Sequence, residues 1–163
     1  MSMTETLASA APGRPWPDRF PGPAPQPHAP GTRLDLREGI RATGFGPVER
    51  PGGLSGRRIG PEPEALLLLG AIDPAVGSLL LLFLPEPGAE PLDVLFEGQP
   101  LATAPAGPVA PLHDRPGAWA LRATLPLAEA LARPAWGRLE LRRVLVPGPL
   151  RHPAPALHAV VFE

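Results

Sequence analysis

The stretch EALLLLGAIDPAVGSLLLLFLPEP (residues 64–87) is the most apolar part of the chain and holds two leucine-rich runs. A single membrane-spanning helix needs about 20 apolar residues, and this stretch is long enough. Its centre, however, contains Asp73, Pro74 and Gly77. A carboxylate near the bilayer midplane costs about 2.5 to 3.5 kcal/mol, and a proline there removes a backbone hydrogen bond. We therefore expect no membrane span.

Two other structures remain for this stretch. Leucine is a better helix former than strand former, so a pair of short buried helices is one alternative. Each run is shorter than a usual helix and lacks a polar face, which favours strands. We predict a hairpin that turns through residues 73–77, with residues 66–72 and 79–84 as buried neighbouring strands and Asp73 exposed at its tip. The continuous apolar character predicts central strands that are covered on both faces.

The rest of the chain repeats this pattern of short apolar runs between turn residues. The chain has 163 residues, enough for one domain with its own core, and 44% are hydrophobic despite 27 Pro and 18 Gly. Such punctuation is typical of a β-sandwich or barrel. The runs are residues 34–36, 54–59, 65–72, 78–84, 92–98, 118–125, 138–146 and 156–162.

Three further segments complete the predicted domain of residues 32–163. Residues 85–91 are predicted to join a second hairpin, after which Glu97-Gly98 turns the chain back. Trp119 alternates with apolar residues and is predicted to lie in the core. Residues 126–133 have a helical pattern, begin with a proline and end before Pro134, so they predict one short helix.

Residues 1–31 are rich in proline and poor in aliphatic residues, which predicts an extended, mobile arm. Trp16 and Phe20 are its aromatic exceptions, and they pack on the domain edge, stay loose or dock a partner. Glu5 stands where a secretory signal would be basic, and no long apolar run follows it. We therefore expect a cytoplasmic protein.

Composition disfavours several chemistries. Cys is absent, and the 15 basic residues are balanced by 16 acidic ones without a basic run, so we expect no nucleic-acid partner. The four histidines lack zinc-ligand spacing, and His158 is predicted to face solvent on the last strand. Ser55 lacks the context of a nucleophile elbow. We expect no catalytic residue, metal or cofactor. A glycoside-acting enzyme is a further alternative, and it would need two carboxylates that face one cleft.

Two segments resemble a known group of proteins. They are GFGPVERPGGLSGRRIGPEPEALLLL, residues 44–69, and RHPAPALHAVVFE, residues 151–163. The chain resembles, over residues 33–163, bacterial β-sandwich accessory domains found with glycosyltransferases of cell-surface polysaccharide systems. In those domains a Gly-aromatic pair, a Glu and a Ser/Thr-x-Arg-Trp run precede an aliphatic strand. Ile59 stands here in place of the tryptophan.

The resemblance implies an antiparallel, jelly-roll-like β-sandwich of about eight strands. It also implies a non-catalytic role, either binding a carbohydrate or glycoconjugate or supporting a glycosyltransferase. The ligand-binding candidates are four residues carried over from the resemblance and a dense polar cluster, namely Phe45, Glu49, Arg57, Arg58, His113, Asp114 and Arg115.

Each group of candidate residues also has a structural interpretation. Phe45 would pack in the core and Glu49 would pair with an arginine at the sandwich edge. Asp114 would bond its own backbone in a loop turn. The alternative function is a structural or assembly subunit that acts, as a homo-oligomer or with a partner, through the proline-rich arm and its sheet edges.

Overall fold

The computed structural model describes residues 26–37, 41–60, 62–85, 92–131, 133–134, 136–144 and 154–163. Within them, twelve strands form two antiparallel sheets that enclose a common core. The strands are β1 (Arg33–Asp35), β2 (Ala42–Thr43), β3 (Phe45–Glu49), β4 (Gly56–Ile59), β5 (Glu64–Gly70), β6 (Ser78–Phe83), β7 (Leu92–Phe96), β8 (Gln99–Pro100), β9 (Ala102–Ala106), β10 (Trp119–Thr124), β11 (Gly137–Arg143) and β12 (Ala156–Phe162).

The strand order is that of a jelly roll. The large sheet runs β3-β4-β12-β6-β10-β9, with β1 also pairing with β12, and the small sheet runs β2-β5-β11-β7-β8. Without β1, β2, β3 and β9, the remaining strands form two four-stranded sheets of order β4-β12-β6-β10 and β5-β11-β7-β8. This is the strand order of two Greek keys in a jelly roll, with the first strand, β4, beside the last, β12. The predicted all-β, jelly-roll-like sandwich is therefore confirmed.

The predicted hairpin at residues 64–87 is wrong in its pairing. Both runs are buried central strands, as expected, but β5 lies between β2 and β11 while β6 lies between β12 and β10. Residues 71–77 therefore cross from one sheet to the other. Asp73 is half-buried rather than exposed, because its carboxylate accepts a hydrogen bond from Ala75 N (2.8 Å) and its own amide bonds His28 O (3.0 Å).

Two neighbouring predictions are also corrected. β6 and β7 belong to different sheets, so residues 85–91 do not close a hairpin. Residues 128–130 form a turn and residues 126, 127, 131 and 133 are irregular, so these described residues do not form the predicted helix. The prolines that bound this segment leave it too short to offset the cost of helix nucleation. By contrast, the Glu97-Gly98 turn is confirmed between β7 and β8, with φ of 50° and 80° as a tight hairpin turn requires.

β6 is buried on both faces, which explains its unbroken run of leucines. Leu79, Leu81 and Phe83 point into the inner core between the sheets. Trp119 stacks on Phe83 (ring centroids 3.9 Å apart, 7° between planes) and packs against this core, as predicted. The opposite face of β6 contributes to a second group, here called the outer cluster, which comprises Leu54, Leu80, Leu82, Leu84, Leu112, Ala120, Ala156 and Ala159.

The outward face of the small sheet carries charges on its central strand. Arg138 binds Glu97 (2.8 Å), and Arg142 lies 3.0 Å from Glu140 and 3.5 Å from Glu64. We call this row of ion pairs the charge ladder. It lies beside outward leucines of β5 and β7, which face the same side in the pairing register.

The edge strands are short or contain proline. β2 and β8 have two residues each, while Pro47, Pro100 and Pro105 lie in β3, β8 and β9. Proline cannot donate a hydrogen bond to an added strand, so these edges are poor templates for further pairing.

The segment before β1 is joined to the sandwich from His28 onward. The His28 ring stacks on Phe162 (4.2 Å between centroids), and the His28 amide bonds Ala71 O (2.8 Å). The rest of the predicted arm, residues 1–25, lies outside the described residues. No helix in the described part of the chain is long and apolar enough to cross a membrane.

Candidate functional site

The β3–β4 hairpin carries four of the candidate residues, but on two opposite faces. Successive residues of a strand point to opposite sides, so Arg57 and Arg58 diverge. Arg57 pairs in register with Leu157 of the inner core. Arg58 pairs with Ala156 of the outer cluster and lies on the outward face of the large sheet.

Phe45 and Arg57 form the inward group. Phe45 lies opposite Ile59 and packs against the inner core. The guanidinium carbon of Arg57 is 5.8 Å from the centre of the Phe45 ring, and its Nε donates to Gly46 O (2.9 Å). The structural interpretation of Phe45 is thus confirmed, since its ring is occupied by the core on one side and by an arginine on another.

Glu49 and Arg58 form the outward group. Arg58 Nε and Nη2 donate to the two carboxylate oxygens of Glu49 (3.1 and 3.2 Å), and Nη1 donates to Ala154 O. The predicted pairing of Glu49 with an arginine is confirmed. The side chains of Arg58 and Glu49 remain 31% and 37% exposed, so this bidentate pair is rigid and still meets solvent.

The 107–118 loop carries the polar cluster, and its three members are exposed. Leu112, which is fully buried in the outer cluster, anchors the loop over the outward face of the large sheet. Arg115 N donates to Leu112 O (3.0 Å), and its side chain reaches the β3–β4 turn, where a Cβ added to Gly52 would lie 3.2 Å from Nη1. His113 and Asp114 lie in the turn of the same loop.

The structure therefore brings together only some of the candidates. Glu49, Arg58 and Arg115 belong to segments that meet on the outward face of the large sheet, and we call these three residues the outer polar patch. Phe45 and Arg57 lie on the other side of the hairpin. His113 and Asp114 share the loop of Arg115, but among the described residues no hydrogen bond or ion pair joins them to the hairpin.

Sequence reasoning missed a polar cluster centred on His158. The prediction that His158 faces solvent is wrong, because the residue is only 4% exposed. The pairing of β12 with β6 shifts between Leu157 and Ala159, so His158 is the extra residue of a β-bulge and breaks the alternation. Its ring nitrogens contact Ser55 O and Arg33 Nη2. A bulge of this kind has no signature in the local sequence.

An ion pair at the opposite end of the large sheet has shifted pKa values. Arg122 donates to both carboxylate oxygens of Glu163 (2.7 and 3.1 Å), and Ser78 Oγ donates to the same carboxylate (3.1 Å). The bond from Arg122 holds the pKa of Glu163 below its usual range, although partial burial opposes the shift. The same bond raises the pKa of Arg122.

Among the described residues, no group of three or more His, Asp or Glu side chains is arranged to hold a metal ion. Family models were compared with the chain and none matches, and no curated protein is significantly similar to it. The resemblance to glycosyltransferase-associated domains therefore stays a hypothesis, and functional assignment depends on the geometry of the surface.

Proposed function

We propose that this protein is a non-catalytic β-sandwich module that binds a carbohydrate or glycoconjugate, on its own or in support of a glycosyltransferase. The ligand would bind at the outer polar patch. The observation that carries this proposal is the bidentate Glu49–Arg58 pair, which is partly exposed and lies in the hairpin whose turn the Arg115 side chain reaches.

The chemistry of the pair suits hydroxyl groups. A carboxylate accepts hydrogen bonds and a guanidinium donates them, while each sugar hydroxyl does both. Glu49 and Arg58 therefore offer an acceptor and donors side by side, matching neighbouring hydroxyls of one ring.

The pair is also held in place before any ligand arrives. Arg58 donates to Ala154 O as well as to Glu49, so its long side chain has several fixed points. Ordering a flexible side chain on binding costs about 0.5 to 1.5 kcal/mol. Because the Arg58 side chain is already ordered in the folded protein, ligand binding does not carry this cost again. Pre-organised polar groups are what a weakly apolar ligand needs for affinity.

Calorimetric titration with neutral and acidic bacterial polysaccharides tests the proposal. We expect binding by at least one class, and we expect Arg58→Ala to weaken it about tenfold or more, since a hydrogen bond to a charged group contributes about 1.5 to 3 kcal/mol. Arg122→Ala is the matched control, because Arg122 forms a similar bidentate pair elsewhere on the same sheet.

Two results would contradict the proposal. One is the absence of binding across the whole panel. The other is binding that survives Arg58→Ala unchanged but disappears in Phe45→Ala, which would move the site to the inward side of the hairpin.

The alternative, an assembly subunit acting through sheet edges, has less support. The short or proline-containing edges described above disfavour strand addition. The part of this alternative that depends on residues 1–25 stays a prediction, and sedimentation of the chain with and without those residues tests it.

A further inference from the structure

We infer that the buried His158 and the half-buried Arg33 form a latch that couples the β3–β4 hairpin to the 107–118 loop. The latch is defined by these two side chains. It makes His158 a positioning residue, because it would fix the hairpin that carries Glu49 and Arg58 relative to the loop that carries Arg115. Its meaning for ligand binding rests on the proposed function, whereas the coupling itself needs no ligand.

The latch lies at a junction between strands. One edge of β12 pairs with β4 near Leu157 and with β1 from Ala159 onward, so two collinear strands share that edge. His158 is the bulged residue between them. Its carbonyl accepts from Leu36 N (2.9 Å), just after β1, and its ring contacts Ser55 O, just before β4.

The chemistry of the contacts assigns the ring nitrogens. A carbonyl oxygen only accepts hydrogen bonds, so Nδ1 of His158 donates to Ser55 O. A guanidinium only donates, so Nε2 accepts from Arg33 Nη2. The ring thus links the β3–β4 hairpin to Arg33 through one tautomer.

Arg33 extends the link to the other half of the patch. Its Nη1 donates to Ala110 O (2.7 Å), in the loop that carries Arg115, and its Nε donates to Asp35 (2.8 Å), which fixes the plane of the guanidinium. A single planar group therefore holds the histidine and the loop together. If His158 is removed, the Arg33 guanidinium is held less firmly in the orientation in which it donates to Ala110 O.

The apolar neighbours of the latch meet at the same place. Leu54 precedes Ser55 and Leu112 follows Ala110 by two residues, and both lie in the outer cluster. The two segments thus share one apolar surface as well as one polar link. This arrangement predicts that loosening either segment loosens the other.

Amide hydrogen exchange on the full chain, without any ligand, tests the coupling. The amides of Leu54 (to Pro51 O, 3.2 Å) and Leu112 (to Val109 O, 2.9 Å) report on the two segments. We expect His158→Leu to accelerate exchange at both amides about tenfold or more, since a partly buried hydrogen bond to a charged group is lost. Amides of β5 and β11 should be unchanged.

Arg33→Met provides the second variant and decides the question if His158→Leu does not fold. It keeps the aliphatic stem, removes every donor, and should accelerate the same two amides. Arg37→Met is the matched control, since Arg37 is exposed on the same segment, and it should leave both amides unchanged. The double variant, which combines His158→Leu with Arg33→Met, should accelerate exchange only slightly more than the stronger single variant, because the two side chains act as one unit.

Acceleration at only one of the two amides, a uniform acceleration across all strands, or additive effects in the double variant would overturn the inference. Polysaccharide titration of Arg33→Met then separates the two proposals. Coupled exchange without glycan binding by the parent protein leaves the latch standing and removes the proposed function. Glycan binding together with independent exchange at the two amides removes the latch and leaves the proposed function standing.

Discussion

The two leucine strands β5 and β6 have nearly the same composition but are covered differently. Each sends alternate side chains into the inner core between the sheets. On its other face, β6 is covered by the protein's own 107–118 loop, with Leu112 in the outer cluster. The other face of β5 lies beside the charge ladder of β11. A continuous apolar run therefore indicates that both faces of a strand are covered, but it does not indicate which part of the protein covers them.

This difference has an energetic consequence. Atoms under the 107–118 loop are removed from water and close-packed, so each lost methyl group leaves a cavity. Beside the charge ladder, long arginine stems can shift to fill space while their charged ends stay in water. The outward face of β6 should therefore tolerate truncation much less than the outward face of β5.

The largest effect is expected for Leu82→Ala compared with Leu66→Ala. Leu82 is fully buried on the outward face of β6, whereas Leu66 is only half-buried on the outward face of β5. Leu82→Ala should lower the free energy of unfolding by about 2 to 5 kcal/mol, and Leu66→Ala by about 1 kcal/mol. Urea denaturation measures both, and equal losses would show that the two faces are covered alike.

The cover itself is the next target. Leu112→Ala should lower the free energy of unfolding by about 2 to 4 kcal/mol, somewhat less than a strand position because a loop can settle into the space. Val109→Ala, in the same loop but 40% exposed, is the control and should change it by about 0.5 kcal/mol or less. A small effect of Leu112→Ala would mean that the loop does not contribute to closing this face.

A smaller effect is expected where charges replace the loop. Arg142→Met should change the free energy of unfolding by about 1 kcal/mol or less, because a partly exposed ion pair contributes about 0.2 to 1 kcal/mol. The Arg142 side chain is 39% exposed, and its buried Nε lies 3.5 Å from Glu64 without a hydrogen bond to any of the described residues. Denaturation at low and high salt measures the effect, and a loss as large as that of Leu82→Ala would contradict the comparison.

The smallest effect concerns the end of the large sheet near Ser78, where Arg122 and Glu163 pair. Since the pKa of Glu163 is lowered in the folded state, its contribution to stability is present above the ordinary pKa of glutamate. That contribution is lost as the pH falls through the lowered value. The free energy of unfolding of the Glu163→Gln variant should therefore fall less steeply than that of the parent protein as the pH is lowered through this range. Thermal denaturation across this range measures the slope, and identical curves would contradict the assignment.

The sequence allowed the strands of this fold to be predicted better than their pairing. Each of the eight apolar runs contains or overlaps a strand, because alternation or continuous burial is recorded locally in the side chains. β3 and β9 escaped prediction because each contains a proline, which is compatible with an edge position only. The side-chain period does not record which sheet a strand joins, so the crossing at residues 71–77 was taken for a hairpin.

The candidate site was predictable in part for the same reason. The Glu49–Arg58 pair follows from a hairpin that sets a carboxylate near an arginine. Two other contacts join segments that lie far apart in sequence. Arg115 lies close to the β3–β4 turn, and Arg33 contacts His158. Such contacts depend on the tertiary order of the strands, and in the case of His158 on a bulge.

The pairing of β12 also bears on how fast this chain folds. Its partners β1, β4 and β6 are all separated from it by β7 to β11, so the large sheet gains its central ladder only after long loops have closed. Topologies of this kind fold on the order of milliseconds to seconds. During that interval the leucines of β6 have no partner strand on the β12 side, and a nascent chain has to be kept from associating through them.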